Sequence, residues 1–430
     1  MKHLRWWLLL VFVVVVLGVA WWLFGSGGRE PVSPQASAVP AASLKDPALV
    51  EKGRYLVAAG DCAGCHTARG GADFAGGRTV ATPFGNIPVP NITPDHETGL
   101  GDWSFEDFEQ SMRHGVGRHG ELLYPAFPYT SYTKASRDDL LAIFAYLQSL
   151  APAQQPAVAG SLEFPYSVRN GLKAWRALYF RAGEFKPDPA QSAEWNRGAY
   201  LVQGLGHCNE CHAARDSLGG TPGDVHLTGG QIPVQNWYAP DLSTQRHGGL
   251  EGWTAKDIVD LLKTGQSARG ATFGPMAEVV VNSTQYMSDE DLHAIATYLE
   301  SLPPRDAPAE PSRMFDADTL VDAGAKVYAE HCESCHRADG KGVAGIYPPL
   351  DGNSSVTEPT GINAARIVLL GGFAPVTAAN PRPYSMPPFA QQLSDEQVAA
   401  VISYIRRSWG NHASAMRAED VSKYRQTPID

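Results

Sequence analysis

A chain of 430 residues is too long for one ordinary hydrophobic core and calls for two to four domains. Its formal net charge of −10 argues against nucleic acid as a partner. With 43 glycines and 32 prolines, it reads as loop-rich folding around some large apolar body other than its own side chains.

The first predicted element is N-terminal. Met1-Lys2-His3-Leu4-Arg5 precedes an uncharged run from Trp6 to Phe24. At ~1.5 Å per residue that run spans roughly 28 Å, close to the hydrocarbon thickness of a bilayer. Trp6 and Trp7 at one end and Trp21 and Trp22 at the other sit where aromatic belts belong. The expectation is a single transmembrane anchor over residues 1–24, with Lys2 and Arg5 on the cytoplasmic side and the remainder exported. A cleaved signal peptide is the alternative, with Ala36-Ser37-Ala38 as a distant small-x-small site. Residues 25–45, rich in Gly, Ser, Pro and Ala, read as a flexible linker.

The next segment, 46–150, opens with an expected helix over Pro47 to Ala59 that runs into Cys62-Ala63-Gly64-Cys65-His66. An irregular loop follows, and Ser104-Phe105-Glu106-Asp107 and Ser136-Arg137-Asp138-Asp139 start two helices as capping boxes. Residues 151–190 form a connector in which Leu172, Trp175, Leu178 and Tyr179 give a helical apolar face, with Lys173, Arg176 and Arg181 around it. Packing against the preceding domain is the expected use of that face, and a partner or membrane surface the alternative.

Segment 191–302 repeats the first plan. Gly198-Ala199-Tyr200-Leu201-Val202 answers Gly53-Arg54-Tyr55-Leu56-Val57, Cys208-Asn209-Glu210-Cys211-His212 answers the first cysteine pair, and Ile232-Pro233-Val234 answers Ile87-Pro88-Val89. Segment 303–430 begins with a stiff spacer from Pro303 to Pro311 and keeps only the skeleton. Gly324-Ala325-Lys326-Val327-Tyr328 precedes Cys332-Glu333-Ser334-Cys335-His336, and Ser394-Asp395-Glu396-Gln397 opens the last long helix.

Three C-x-x-C-H pentapeptides use all six cysteines and leave none over. The spacing is that of covalent haem c attachment. Two thiols on one turn reach the two vinyl groups of one porphyrin, and the imidazole of the next residue sits beneath the iron. Cys62, Cys65, Cys208, Cys211, Cys332 and Cys335 are therefore expected to bind three haems c, with His66, His212 and His336 as iron ligands. No thiol is left for a disulfide.

A second axial ligand comes from downstream, and methionine there raises the potential. Met386, in Tyr384-Ser385-Met386-Pro387-Pro388-Phe389, is the candidate for the third haem. Met276, in Phe273-Gly274-Pro275-Met276, is the candidate for the second, and Met287 reads as a hydrophobic staple before the cap Ser288. In the first segment the loop Leu123-Tyr124-Pro125-Ala126-Phe127-Pro128-Tyr129 places Phe127 where a ligand belongs, and phenylalanine cannot bind iron. His119, His114, His96 and Met112 are the candidates nearby, and an open or weakly ligated iron is the further alternative.

At this point the chain resembles the three-haem cytochrome c subunit of bacterial membrane-bound dehydrogenases for alcohol, gluconate, sorbitol and related substrates. The resemblance rests on the three haem motifs, Asn91-Ile92-Thr93-Pro94-Asp95, Gly274-Pro275-Met276-Ala277-Glu278-Val279-Val280, and Ile402 through Asn411. It implies a mainly α fold of three tandem cytochrome c-like domains, each wrapped around its haem. It also implies a separate catalytic subunit of flavin, quinone or molybdenum type, and electron delivery to membrane quinone or the respiratory chain. Many members carry Met where this chain has Phe127; the Phe form resembles cytochromes accompanying molybdenum-containing aldehyde or N-heterocycle oxidoreductases. Many are also exported by a cleaved peptide. Neither a dinucleotide fingerprint nor a nucleophile elbow is present, so the expectation is an electron-transfer subunit at the cytoplasmic membrane with its haem domains in the periplasm. The rivals are a general periplasmic electron carrier and a haem enzyme such as a peroxidase.

Overall fold

The computed structural model describes residues 39–40, 42–221, 227–244, 249–304 and 317–425, with Trp6, Trp7, Leu10, Val11, Val13, Val14 and Gly18 nearer the N-terminus. The expected N-terminal anchor is corrected, and with it the placement in the bacterial cytoplasmic membrane and periplasm. Among the described residues no helix is long and apolar enough to cross a membrane. Trp6 and Trp7 are helical and exposed. The rest of residues 1–24, most of the 25–45 linker and most of the Pro303–Pro311 spacer lie outside the described residues.

The chain divides into two compact units: Met1–Leu56 with Cys65–Phe185, and Val57–Gly64 with Lys186–Asp430. In chain order, α1 (Pro47–Ala59) leads to α2 (Cys62–His66), and the stretch expected as irregular loop contains an antiparallel hairpin, β1 (Thr79–Thr82) and β2 (Gly85–Pro88). The β-branched Thr79, Val80 and Thr82 suit the short strand, and Gly85 at φ 117° makes the turn. Helix α3 (Phe105–His114) starts at the Ser104/Asp107 capping box and ends at Gly115 in the left-handed conformation. After the short α4 (Tyr129–Tyr132), α5 (Arg137–Ser149) is capped by Ser136, whose hydroxyl accepts from the Asp139 N–H.

The connector carries α6 (Leu172–Tyr179). Leu172 is buried with Val116 and Leu122, as the apolar face suggested, but the helix is not amphipathic in the expected sense. Leu178 is 62% exposed, whereas Arg176 is 8% exposed. The guanidinium lies over Tyr129 and Phe180 and donates to the His114 carbonyl, at the negative end of α3.

In the second unit, α7 (Ala193–Gln203), the hairpin β3 (Thr228–Ile232) with β4 (Trp237–Asp241), α8 (Ala255–Thr264), α9 (Pro275–Asn282) and α10 (Asp289–Glu300) repeat the plan. Then come α11 (Ala317–His331), α12 (Glu333–His336), α13 (Ser354–Thr357), α14 (Ile362–Leu370), α15 (Asp395–Arg407) and α16 (Ala418–Arg425). Val327, Leu369, Val401 and Ile402 belong to the core of that last group.

One contact recurs three times. A Cβ on Gly53, Gly198 or Gly324 would stand 1.9, 1.8 or 2.0 Å from the carbonyl oxygen of Ala142, Ala294 or Ala400. In each repeat the helix entering the cysteine motif therefore crosses the closing helix backbone to backbone, and only glycine fits there. That crossing fixes where the C-x-x-C-H turn leaves the helix.

Candidate haem sites

The three motif histidines are held alike. His66 Nδ1 lies 2.8 Å from the Pro90 carbonyl oxygen, His212 Nδ1 2.7 Å from that of Pro240, and His336 Nδ1 3.1 Å from that of Pro348. A carbonyl only accepts, so each Nδ1 carries the proton and donates, leaving the Nε2 lone pair for a metal. The other side of each motif is fixed as well. The backbone N–H of Gly76, Gly229 and Gly342 donates to the carbonyl of His66, His212 and His336, at 2.7, 3.0 and 3.1 Å.

The proline carbonyls are themselves pinned by the segments the sequence singled out. Asn91 is buried; its Oδ1 accepts from the Thr93 N–H, and its Nδ2 donates to Thr98 Oγ1 and the Ala153 carbonyl. Asp241 does the same with the Ser243 N–H. In the last segment Asn411 holds the loop after Pro348, accepting from the Gly352 N–H and donating to the Leu350 carbonyl.

Burial pushes all three motif imidazoles below their ordinary pKa, against the opposing pull of the proline carbonyl. They are neutral at pH 7, as a metal ligand must be. Burial, with the neighbouring thiol second, pushes Cys208 up to about 12 and Cys332 up to about 11. No disulfide joins any of the six cysteines. Paired thiols on one turn, each pair followed by an imidazole with its outer nitrogen free, fit a covalently attached haem c whose iron takes Nε2.

The structure places the second-ligand candidates as follows. Met276 is half-buried in the first turn of α9, after Gly274, which packs against Trp237. Met386 is half-buried against the last core, and its backbone exchanges two hydrogen bonds with Gly372, at 2.8 and 3.0 Å. Met287, the staple position, is buried, as is Leu393, which directly precedes the cap Ser394. Phe127 is half-buried with its ring against Tyr132. Met112 is buried in α3, and His114 ends that helix half-buried. His119 is exposed, and His96 is exposed with Nδ1 2.7 Å from Asp102.

The cytochrome c family pattern matches residues 50–151, 196–303 and 321–409, most of the described chain. The chain belongs to the cytochrome c family. It is 39% identical over 399 residues to the cytochrome c subunit of the quinone alcohol dehydrogenase of Gluconacetobacter polyoxogenes, covering 89% of this chain and 85% of that one. It is 38% identical to the gluconate 2-dehydrogenase cytochrome c subunit of Pantoea cypripedii, covering 88% and 90%. A nicotinate dehydrogenase subunit of Pseudomonas putida is 41% identical over 87% of this chain, and the match spans 31% of that longer protein. This cytochrome c thus resembles cytochrome subunits of dehydrogenase complexes, and its domains bind covalent haem c and transfer electrons.

Sequence reasoning named the haem motifs but missed what orients them. Pro90 directly precedes the Asn91–Asp95 segment and Pro240 directly precedes Asp241, which was the available signal, whereas Pro348 is followed by Pro349 and has no such marker. Nothing in the composition of α6 announced that Arg176 would be buried.

Proposed function

We propose that this cytochrome c carries three haems and relays electrons from a dehydrogenase catalytic subunit of flavin, quinone or molybdenum type to a quinone or another respiratory carrier. The observation that supports it is the threefold repetition of one proximal arrangement, imidazole Nδ1 donating to a proline carbonyl beside a thiol pair. On this reading Cys62, Cys65, Cys208, Cys211, Cys332 and Cys335 hold the haems, His66, His212 and His336 bind the irons, and Met276 and Met386 complete two of them. The domains correspond to 46–150, 191–302 and 303–430, joined by the 151–190 connector. Haem supplies a one-electron couple, and the protein's own residues place, tune and insulate it.

Tunnelling falls steeply with distance and less steeply along bonded paths, so contacts near the attachment points matter. Within the second unit, His207 Nε2 lies 3.3 Å from the Gly60 carbonyl oxygen. His207 directly precedes Cys208 and Gly60 stands two before Cys62, so one hydrogen bond completes a short path between two haem attachment points. Toward the last haem, Asn363 Oδ1 accepts from the Tyr238 N–H at 2.9 Å, Asn363 Nδ2 donates to the Tyr238 carbonyl at 2.8 Å, and the Arg366 guanidinium covers the Trp237 ring. Copurification in mild detergent followed by cofactor analysis tests the reading. A catalytic subunit with a flavin, quinone or molybdenum cofactor is expected; a complex with haem as its sole cofactor overturns it.

A further inference from the structure

We propose that the haem held by His66 receives no donor from the protein on its second face and binds a small external ligand there. The ligand class is cyanide or imidazole for the ferric iron and carbon monoxide for the ferrous. The inference rests on the reading that each C-x-x-C-H carries a haem.

The internal repeat fixes the comparison. Gly115 ends α3 and Gly265 ends α8, both left-handed. The Leu123 N–H donates to the Gly115 carbonyl at 2.8 Å, and the Thr272 N–H to the Gly265 carbonyl at 2.9 Å. Leu123 and Thr272 therefore occupy one place in the two repeats, and four residues on stand Phe127 and Met276. The position that offers a thioether in the second repeat offers an aromatic ring in the first.

The loop is also clamped in place. Arg169 donates to the Leu122 carbonyl at 2.6 Å and lies over the Tyr124 ring, while the Tyr124 hydroxyl donates to the Tyr166 carbonyl at 3.0 Å. Arg176 lies over Tyr129 at the other end. With both ends of 122–129 fastened to the connector, another residue of this loop is not free to reach the iron.

The remaining candidates stand at positions that carry no proposed ligand in the second repeat, or in solvent. Met112 sits where the second repeat has Leu262, on the α3 stretch that buries Phe105, Phe108 and Ser111. His114 sits where the second repeat has Thr264, whose hydroxyl turns back on its own helix end, within hydrogen-bond distance of the Asp260 and Gln266 carbonyls. His96 is engaged with Asp102 in solvent, and His119 is exposed.

The haem content of the purified full chain is measured first; fewer than three haems defeats the underlying reading rather than this one. Electron paramagnetic resonance of the oxidised chain and titration with cyanide, then carbon monoxide after reduction, carry the test. One high-spin haem and one ligand-binding site per chain are expected. Phe127→Met should abolish both and add a second-ligand methionine signature in the near-infrared. Should that variant not fold, Met112→Leu and His114→Ala carry the test, and both are expected to keep the wild-type spectrum. An all-low-spin wild type that ignores cyanide overturns the proposal. So does a change of spin state in Met112→Leu or His114→Ala, or a folded Phe127→Met with unaltered spectrum and cyanide uptake.

Discussion

The glycine at the helix crossing gives a prediction whose sign separates two explanations. In Gly324→Ala the new Cβ falls 2.0 Å from the Ala400 oxygen, 2.5 Å from its carbonyl carbon and 2.8 Å from Tyr404 Cβ. An ordinary carbon–oxygen contact needs ~3.3 Å, so α11 and α15 must part by more than ~1 Å along the crossing. Overpacking of this kind costs ~1–3 kcal/mol. The separation also disturbs the Tyr328, Tyr404 and Trp409 rings, whose centroids lie 5.2 to 5.8 Å apart. Helix propensity alone predicts the reverse, a gain of ~1 kcal/mol for Ala over Gly in a helix interior. We expect a net loss of about 2 kcal/mol. Guanidinium unfolding of the haem-loaded chain, followed by tryptophan fluorescence and far-ultraviolet circular dichroism, measures it. A variant as stable as the parent, or more so, refutes the close-crossing argument.

Four further outcomes follow from the same packing and chemistry. Met276→Ala and Met386→Ala should each lower the potential of one haem in a spectroelectrochemical titration, since thioether ligation favours the reduced iron; an unshifted potential removes that residue from the ligand set. Asn363→Ala loses both bonds to the Tyr238 backbone, so it should cost ~1–2 kcal/mol and, on the proposed three-haem reading, slow electron exchange between the second and third haems in pulse-radiolysis traces. Arg406→Leu strips the bonded donors from the Val356, Glu358 and Ser414 carbonyls in a site 1% exposed, and a loss of about 3 kcal/mol or more should appear in the unfolding midpoint. Burial raises the Glu358 carboxyl pKa above its ordinary value, against the lowering pull of Arg406 and three hydrogen bonds. The folded state then holds that proton more tightly than the unfolded one, so stability is full below the usual carboxylate range and falls as pH rises through the raised pKa. Glu358→Gln should flatten that slope, read from unfolding midpoints between acid and neutral pH.

Local signals carried far in this sequence where the chemistry is local. The helix over Pro47–Ala59 has the expected bounds, and Ser104, Ser136, Ser288 and Ser394 cap the helices they were expected to start. The hairpins were harder to read, because four- and five-residue strands amid Gly and Pro leave little alternation to detect. Arg176 was misplaced because its burial depends on Tyr129 and the end of α3, both distant in sequence, as well as on Phe180 just past its own helix. The glycine before each cysteine motif was noticed as a repeat, but its cause lies in the backbone of a helix 76 to 96 residues later. The N-terminal run showed the opposite failing: hydropathy and flanking charge favoured a membrane span, and no described helix meets that requirement.

The acceptor that each C-x-x-C-H imidazole meets is main-chain, not side-chain. A carboxylate or amide in that role could be deleted by one base change, and the ring would lose its orientation. Here no replacement of Pro90, Pro240 or Pro348 removes the oxygen itself; a substitution can only shift the loop that presents it. The proximal geometry is thereby buffered against point mutation at its own partner. On the proposed ligand set, genetic variation in ligand field should accordingly enter from the opposite face, where Phe127, Met276 and Met386 would be single side chains open to exchange.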